Sequence, residues 1–310
     1  MSDLYVVTGA GPVGWTIAEQ LADQGKTVRI ATRSGSGPDH PLVERVRADV
    51  QDPAALRQLM AGATAVFHCI HAAYNAKDWE AELPRAEQKV LAAAKEAGAV
   101  VIFPESLYSY SEPGRVMTEA SPRGATGGKR GVRTALLAAR AASVTDTVSV
   151  VAGDFFGPRV LMAHGGERML SAVLSGKRLQ VIGSTRQPHS FTYVPDLAAA
   201  MIRAAQAPEL WNKVWHAPTL PAVTQRQLAA SFADAAGEPL KGVSAIPGPV
   251  LRLVGLFSAD LREIAEMAYQ FEKPFVMDSA ASQAAFGLKP TPLPDAAAAT
   301  VGWWRGSGAK

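Results

Sequence analysis

The stretch that most narrows what this chain can fold into lies at its start. Residues 4–8 (LYVVT) form a short apolar, β-prone run, "GAGPVG" follows, and Val13, Ile17 and Leu21 then recur every four residues up to Gly25. The pattern reads as strand, tight glycine turn and helix. Gly9, Gly11 and Gly14 fall in the spacing G-x-G-x-x-G. In that spacing the first glycine permits the turn, the second lets backbone approach a pyrophosphate, and the third lets helix pack on strand. Pro12 and Val13 open the helix, whose free N–H groups favour an anion.

The unit then repeats. "TVRIATR" (27–33), a helix from Pro53 to near Gly62, "AVFHCI" (65–70), a helix ending at Gly98, "VVIFPES" (100–106), a helix over 129–142 and "VSVVAG" (148–153) follow in order. Strands alternating with helices predict an α/β fold of Rossmann type, built on a doubly wound parallel sheet. The end of the second strand bears on the cofactor. An Asp or Glu there binds ribose hydroxyls, whereas an Arg accommodates a 2′-phosphate. "IATRSGSG" carries Arg33 and no acid, which favours NADP over NAD.

Composition removes several classes. Hydrophobic residues make up 48% of the 310 and charged residues 19%, the balance of a compact chain rather than a disordered one. Net charge is +3, with Lys and Arg spread along the chain, so nucleic acid is not an expected partner. Cys69 is the single cysteine. It cannot form an intrachain disulfide or a multi-cysteine zinc site, and in its apolar strand it reads as an inert thiol. We expect no metal. No signal-peptide pattern and no membrane-spanning run of about eighteen apolar residues is found, so we expect a cytoplasmic protein without a membrane partner.

Taken together, these residues make the chain resemble the extended, atypical branch of the short-chain dehydrogenase/reductase superfamily, the NAD-dependent epimerase/dehydratase-like proteins. "VVTGAGPVG" is similar to that family's opening motif, one residue short of the usual T-G-x-x-G-x-x-G. "RADVQDPAALRQLMAGATAVFHC" resembles its adenine-contacting segment, which assigns Asp49 and Val50 to the adenine pocket. "VIFPESLYSYSEPGRVMTEASP" resembles the catalytic strand and its Ser-x-x-x-Tyr-Gly loop, placing Ser106 at the substrate-polarising position, four residues before Tyr110. "GDFFGP", with Phe155 beside the cofactor, "HSFTYVPDLAAAMIRA" and "MDSAASQAAFGLKPTPLPDAAAATVGWW" match landmarks of the second half.

The resemblance implies a dinucleotide-binding domain over 1–155, to which segments of about 180–205 return. A smaller, discontinuous substrate-binding lobe takes up most of 156–310. In the lobe, Thr224 and Gly237 read as the cap and terminator of a helix, and Leu253, Leu256, Phe257, Met267, Tyr269 and Phe271 could line an apolar pocket. The resemblance also implies a homodimer through helices 81–97 and 129–142, whose small residues include Ala86, Ala93, Ala94, Ala135, Ala138 and Ala139.

One departure stands out. Family members that transfer hydride carry Tyr-x-x-x-Lys on the helix that here begins "GGKRGVRTALLAAR". Aligned from Glu119-x-x-Pro122, Lys129 stands at the tyrosine and Arg133 at the lysine. Aligned lysine to lysine, Lys129 holds the nicotinamide ribose and Ala125 stands at the tyrosine. Neither register supplies the phenol. Candidate substitutes are Tyr108 and Tyr110 on the adjoining loop and Lys129 itself, with His71, Tyr74 and Tyr193 as substrate contacts. The resulting reading is an NADP-dependent oxidoreductase acting on a fairly apolar carbonyl or hydroxyl small molecule with a non-standard proton donor. An NADP-bound epimerase or isomerase, and a non-catalytic NAD(P)-binding regulator that senses redox state, are the alternatives, because fold alone does not choose.

Overall fold

The computed structural model describes residues 3–307. Its first half runs β1 (Leu4–Thr8), α1 (Pro12–Asp23), β2 (Thr27–Thr32), β3 (Val43–Arg47), α2 (Pro53–Met60), β4 (Ala63–His68), α3 (Ala76–Ala97), β5 (Val100–Ser106), α4 (Gly128–Ala141), β6 (Thr147–Ala152) and β7 (Asp154–Phe156). The second half runs α5 (Glu167–Leu174), β8 (Leu179–Ile182), β9 (Pro188–His189), β10 (Phe191–Tyr193), α6 (Val194–Ala205), β11 (Lys213–His216), β12 (Val223–Thr224) and α7 (Gln225–Ala236). It closes with β13 (Val243–Ile246), α8 (Gly248–Gly255), α9 (Ala259–Glu266), α10 (Tyr269–Glu272), α11 (Ala280–Phe286) and α12 (Leu293–Gly306).

Seven strands form one parallel sheet in the order β11-β6-β5-β4-β1-β2-β3. This is the Rossmann-type doubly wound fold that the sequence pattern predicts. The order reverses beside β1, so the carboxyl ends of β1 and β4 flank the switch point where such sheets take ligands. On one face Val13, Ile17 and Leu21 of α1 pack with Leu197 and Met201 of α6. On the other, Leu56 and Met60 of α2 pack with Val90 and Ala94 of α3. The central strands are buried and mainly apolar because helices cover both faces, with polar residues such as Thr8, His68, Glu105 and Ser149 among them.

The glycine turn is built as its spacing demands. Gly9 adopts φ +94°, and a Cβ on Gly14 would stand 2.1 Å from the Gly9 carbonyl oxygen. A Cβ on Gly11, by contrast, would meet nothing within 4 Å. The first two features shape the turn, and the third leaves an open approach to the start of α1.

A second core joins α5, α7 and α12 around Phe156, Leu228 and Phe232. Thr224 and Gln227 form a reciprocal capping box on α7, which Gly237 ends in the left-handed conformation. Three expectations need correction. Strand β3 (VERVR) is absent from the periodicity reading, because an edge strand with four half-buried or exposed side chains carries little apolar signal. Leu253 and Phe257 are exposed on and just after α8 and line no pocket, Leu256 lines a shallow cavity of about 240 Å³ with Arg252, Arg262, Ala265 and Glu266, and Met267 and Phe271 are buried. Ala86, Ala93 and Ala94 are buried within this chain, leaving Ala135, Ala138 and Ala139 as the exposed small residues of that helix pair. Among the described residues no helix is long and apolar enough to cross a membrane.

His68 closes β4 in the core, with Nδ1 2.8 Å from Thr8 Oγ1 and its ring edge-on to Phe103. Burial pushes its pKa from 6.5 down to about 4. The folded chain therefore keeps His68 neutral where the unfolded chain binds a proton, so stability present above about pH 6.5 is lost as pH falls toward 4. We expect the urea midpoint to drop more between about pH 7 and pH 5 in the wild type than in His68→Asn, whose amide keeps the Thr8 contact. Equal drops would assign the acid sensitivity elsewhere.

Candidate active site

Ser106 ends β5 and is registered with Ala152, which ends β6. The two strand ends, with Gly9 after β1 and Cys69 after β4, form the carboxyl edge of the sheet. Cys69 is partly buried and its thiol is pushed well up by burial, which makes it inert.

Beneath this edge lies a buried ionic network. Arg140 of α4 makes a two-pronged contact with Glu87 of α3 at 2.5 and 2.8 Å, and a third to Glu105 of β5 at 2.8 Å. Burial alone would raise the Glu105 pKa, yet Arg133 and Arg140 hold its carboxyl below the usual range. Glu105 also accepts from the Ser106 backbone N–H at 2.7 Å, so the network fixes the loop that follows.

Arg133, one turn before Leu137, is buried over the Trp79 ring and lies 3.5 Å from Glu105. It is neither a solvated helix face nor open to a phosphate. Its other partner is His71 Nε2, at 2.5 Å. A guanidinium only donates, so Nε2 accepts and Nδ1 carries the proton it gives to the Ala72 carbonyl at 2.9 Å. Burial of the ring and the neighbouring Arg133 push its pKa to about 4. His71 is thus a neutral imidazole of fixed tautomer.

Lys129 is completely buried. Its ammonium is paired with Glu263 and, at 2.6 Å, with Glu266, both on α9 of the lobe, and sits 4.9 Å from the centroid of the Tyr74 ring. The same carboxylates do a second job. Glu266 accepts from the Lys129 backbone N–H at 2.9 Å, capping a helix whose own N-cap, Gly127, has no side chain to offer. Glu263 accepts from the Ala76 N–H at 3.1 Å at the start of α3. The lobe therefore staples the starts of both helices.

The aromatic candidates divide. Tyr74 and Tyr108 come together, hydroxyl to hydroxyl at 3.1 Å, and Tyr108 stacks on Trp79. Burial raises both phenols well above the ordinary value and the Asp154 charge adds to it, while their shared contact raises Tyr108 and lowers Tyr74. Tyr110 turns away, buried, with its hydroxyl 2.5 Å from His216 Nε2 and 3.4 Å from Arg123. Burial lifts it to about 12. Tyr193 packs on Phe156 in the second core. Phe155 is half-buried against the first core.

At the opposite end of the sheet edge, Arg33 is exposed just beyond β2, where Thr32, Ser34 and Ser36 share hydroxyl contacts of 3.0–3.4 Å. Asp49 is exposed and caps the Gln51 N–H at 2.9 Å, and Val50 beside it is buried. Four further residues escape the sequence reading: Glu105, Asp154, Glu263 and Glu266. The repeat of two acids three apart in "LREIAE" is a signal for the last pair, masked by the apolar context of 247–275. Among the described residues no cluster of His, Cys, Asp or Glu forms a metal site.

Sheet order, glycine turn and strand-end cluster define the class of Rossmann-type nucleotide-binding proteins. The sequence profile of the NAD dependent epimerase/dehydratase family matches residues 5–215, and the chain belongs to that family. A curated relative, the uncharacterized protein y4nG of Sinorhizobium fredii, is 24% identical over 220 residues, which are 64% of this chain and 52% of that protein. The chain thus spans about half the length of the curated relative it matches. Among solved structures, the Bordetella bronchiseptica enzyme WbmH, in complex with NAD+, aligns over 99% of both chains with a TM-score of 0.77 and 19% identity. UDP-glucose 4-epimerase of Thermotoga maritima, with UDP-glucose, aligns over 98% of this chain and 99% of its own, with a TM-score of 0.76 and 16% identity. At such identities these two share the fold.

The Lys129 cluster makes a measurable claim. Lys129→Met strands two partly exposed carboxylates against each other, so we expect it to lower stability by about 2 kcal/mol, the buried-pair cost reduced for the glutamates' exposure. Adding Glu263→Gln and Glu266→Gln should restore most of that loss. No recovery in the triple variant, measured by urea denaturation, would show that the cost lies in packing.

Proposed function

We propose that this chain is an NADP-dependent oxidoreductase that reduces the carbonyl of a small molecule at the carboxyl edge of the sheet. The observation that carries the reading is the Tyr108–Tyr74 hydroxyl pair just past Ser106. It places a phenol where helix α4 supplies none.

The residues around β1 fit a dinucleotide. The α1 N-cap is Gly11, with no side-chain cap and open space where its Cβ would point, so a pyrophosphate can approach the first-turn N–H groups. Arg33 with Ser34 and Ser36 offers charge and hydroxyls to a 2′-phosphate, and no carboxylate competes. Once bound, a nicotinamide cofactor supplies the hydride. Ser106 Oγ and the Tyr108 hydroxyl are the groups that orient a carbonyl oxygen and give it a proton. The Tyr108 phenol, raised further by burial, is protonated near neutral pH and available as a donor to a forming alkoxide. Epimerisation needs the same group to work as acid and base in one cycle, which this environment disfavours. The lobe staple on Lys129 leaves that ammonium neutralised, so its role is to hold helix α4 and Tyr74 in place.

The test is cofactor titration followed by NADPH oxidation against a panel of ketones and aldehydes. NADPH should bind at least about tenfold more tightly than NADH, the worth of one charge-assisted phosphate contact. Arg33→Ala should erase the preference. Gly11→Val, whose backbone (φ −69°) accepts a side chain, should fold and lose cofactor binding. Tyr108→Phe should lower turnover by about a hundredfold at unchanged cofactor affinity. Equal affinity for both cofactors in the wild type, or full turnover in Tyr108→Phe, would overturn the corresponding part of the reading.

A further inference from the structure

The phenol pair needs a source from which its proton is restored, and none of the residues considered so far supplies one. Lys129 is bound up in carboxylates, and His71 is a neutral imidazole with both nitrogens engaged. A different titratable pair stands on the next strand end. Asp154 opens β7, two residues beyond Ala152, the register partner of Ser106. Its Oδ2 lies 2.5 Å from His189 Nε2, and the other imidazole nitrogen, Nδ1, lies 3.1 Å from the Gln270 carbonyl.

The hydrogen-bond inventory fixes the proton count. A carbonyl only accepts, so Nδ1 carries a hydrogen. One further proton lies on the Nε2–Oδ2 contact, on nitrogen as imidazolium with carboxylate, or on oxygen as imidazole with carboxylic acid. Either way the pair holds one transferable proton. His189 is 1% exposed, stacked on Phe271 and Phe275 at ring separations of 4.5 and 5.2 Å, so bulk water does not compete for it. Asp154 Oδ1 has no hydrogen-bond partner among the described residues, and the side chain is 14% exposed, which leaves one oxygen available to the cleft.

The pair is also linked to the phenols. Arg130 donates to the Tyr108 carbonyl at 3.3 Å and lies 5.0 Å from the centroid of the Tyr269 ring, which meets Phe275 edge-on at 6.0 Å. Phe275 stacks on His189, whose Nδ1 is held by the Gln270 carbonyl, and the Asp154 charge accordingly raises Tyr74, Tyr108 and Tyr269. The titratable groups facing the pair are His164 beyond β7, Tyr74 before α3, Tyr108 beyond β5 and Tyr269, while Arg168 acts on His164 and Glu266 on Tyr74 and Tyr269. Burial lowers the His164 pKa, and the Asp154 charge opposes that shift.

We propose that the Asp154–His189 pair is the proton reservoir of the site, restoring the proton that the Tyr108–Tyr74 hydroxyls give to substrate. The proposal rests on the reductase reading. The bookkeeping is of protons alone: the phenol O–H bond breaks as the substrate O–H bond forms, and the phenolate takes the pair's proton through Asp154. Neutral imidazole and carboxylate remain, and solvent returns one proton to complete the cycle. Asp154 and His189 act through the tyrosines and are positioning residues.

Two measurements on the full chain decide it. Histidine-nitrogen NMR near pH 7, with His189→Gln used for assignment, should show the proton on the Nε2–Oδ2 contact as a strongly deshielded signal that is lost in Asp154→Asn. Absence of any such proton in the wild type overturns the proposal. Turnover across about pH 5.5 to 9 should fall about tenfold or more in Asp154→Asn and His189→Gln, with the alkaline limb moved to lower pH and cofactor affinity unchanged. Asp196→Asn, whose carboxylate instead bonds Thr291, serves as the control and should keep the wild-type profile. Wild-type turnover and pH profile in both pair variants would overturn the reservoir and leave the reductase reading intact. No NADPH-dependent turnover of any panel carbonyl by the wild type would instead sink the reductase reading, and the reservoir with it. Should Asp154→Asn fail to fold, His189→Gln, which keeps an amide donor toward Asp154, carries the same comparison.

Discussion

Arg140 makes the interaction on which the sheet half of the molecule depends. It lies 3% exposed between Glu87 on α3 and Glu105 on β5, and donates also to Ser149 on β6 at 3.0 Å. A single guanidinium thereby fixes the spacing of two strands and two helices. Leaving a buried carboxylate unpaired costs several kcal/mol, far more than the assembled network gains over apolar packing. Its value is geometric. Glu105 is held in one orientation, its Oε1 takes the Ser106 N–H, and the loop carrying Tyr108 departs from a fixed point.

The same helix begins with two buried cations. Lys129 and Arg133 stand one turn apart at its start, and neither side chain is exposed to solvent. Arg133 is spent on Trp79, Glu105 and His71, and Lys129 on two lobe glutamates and the face of Tyr74. Positive charge at the start of a helix opposes the macrodipole. The lobe cancels that penalty with Glu263 and Glu266, which take both the ammonium and the free backbone N–H. The second half of the chain therefore completes a helix of the first.

The sequence made the sheet legible because its information is local. Val13, Ile17 and Leu21 mark one helix face, and the glycine spacing marks the turn whatever surrounds it. Strand β3 was illegible for the opposite reason: an edge strand is held by its neighbour's backbone, and its side chains face water. The site divides the same way. Ser106 and Tyr108 could be read from one loop motif. Asp154, His189, Glu263 and Glu266 could not, since each acquires its meaning from a partner 35 to 137 residues away. Tyr110 illustrates the converse hazard. Motif position brought it into the candidate set, and one rotation of the chain after Leu107 turned its hydroxyl toward His216 instead.

These long-range pairs share a physical rule. Each buried charge in the cleft has its opposite on a different element: Glu105 with α4, Lys129 with α9, Asp154 with the strand bearing His189. Of these three only Lys129 takes its opposite from α9, so a chain with α9 displaced would expose the ammonium and leave the start of α4 uncapped, while Glu105 would keep both arginines of α4. Displacement of Tyr269 and Gln270 would also open Tyr108 to water, and its phenol would fall back toward the ordinary value, protonated near neutral pH in either setting. The second half of the chain thus sets the polarity around Tyr108 and the charge balance at Lys129, and leaves the protonation state of the phenol near neutral pH unchanged.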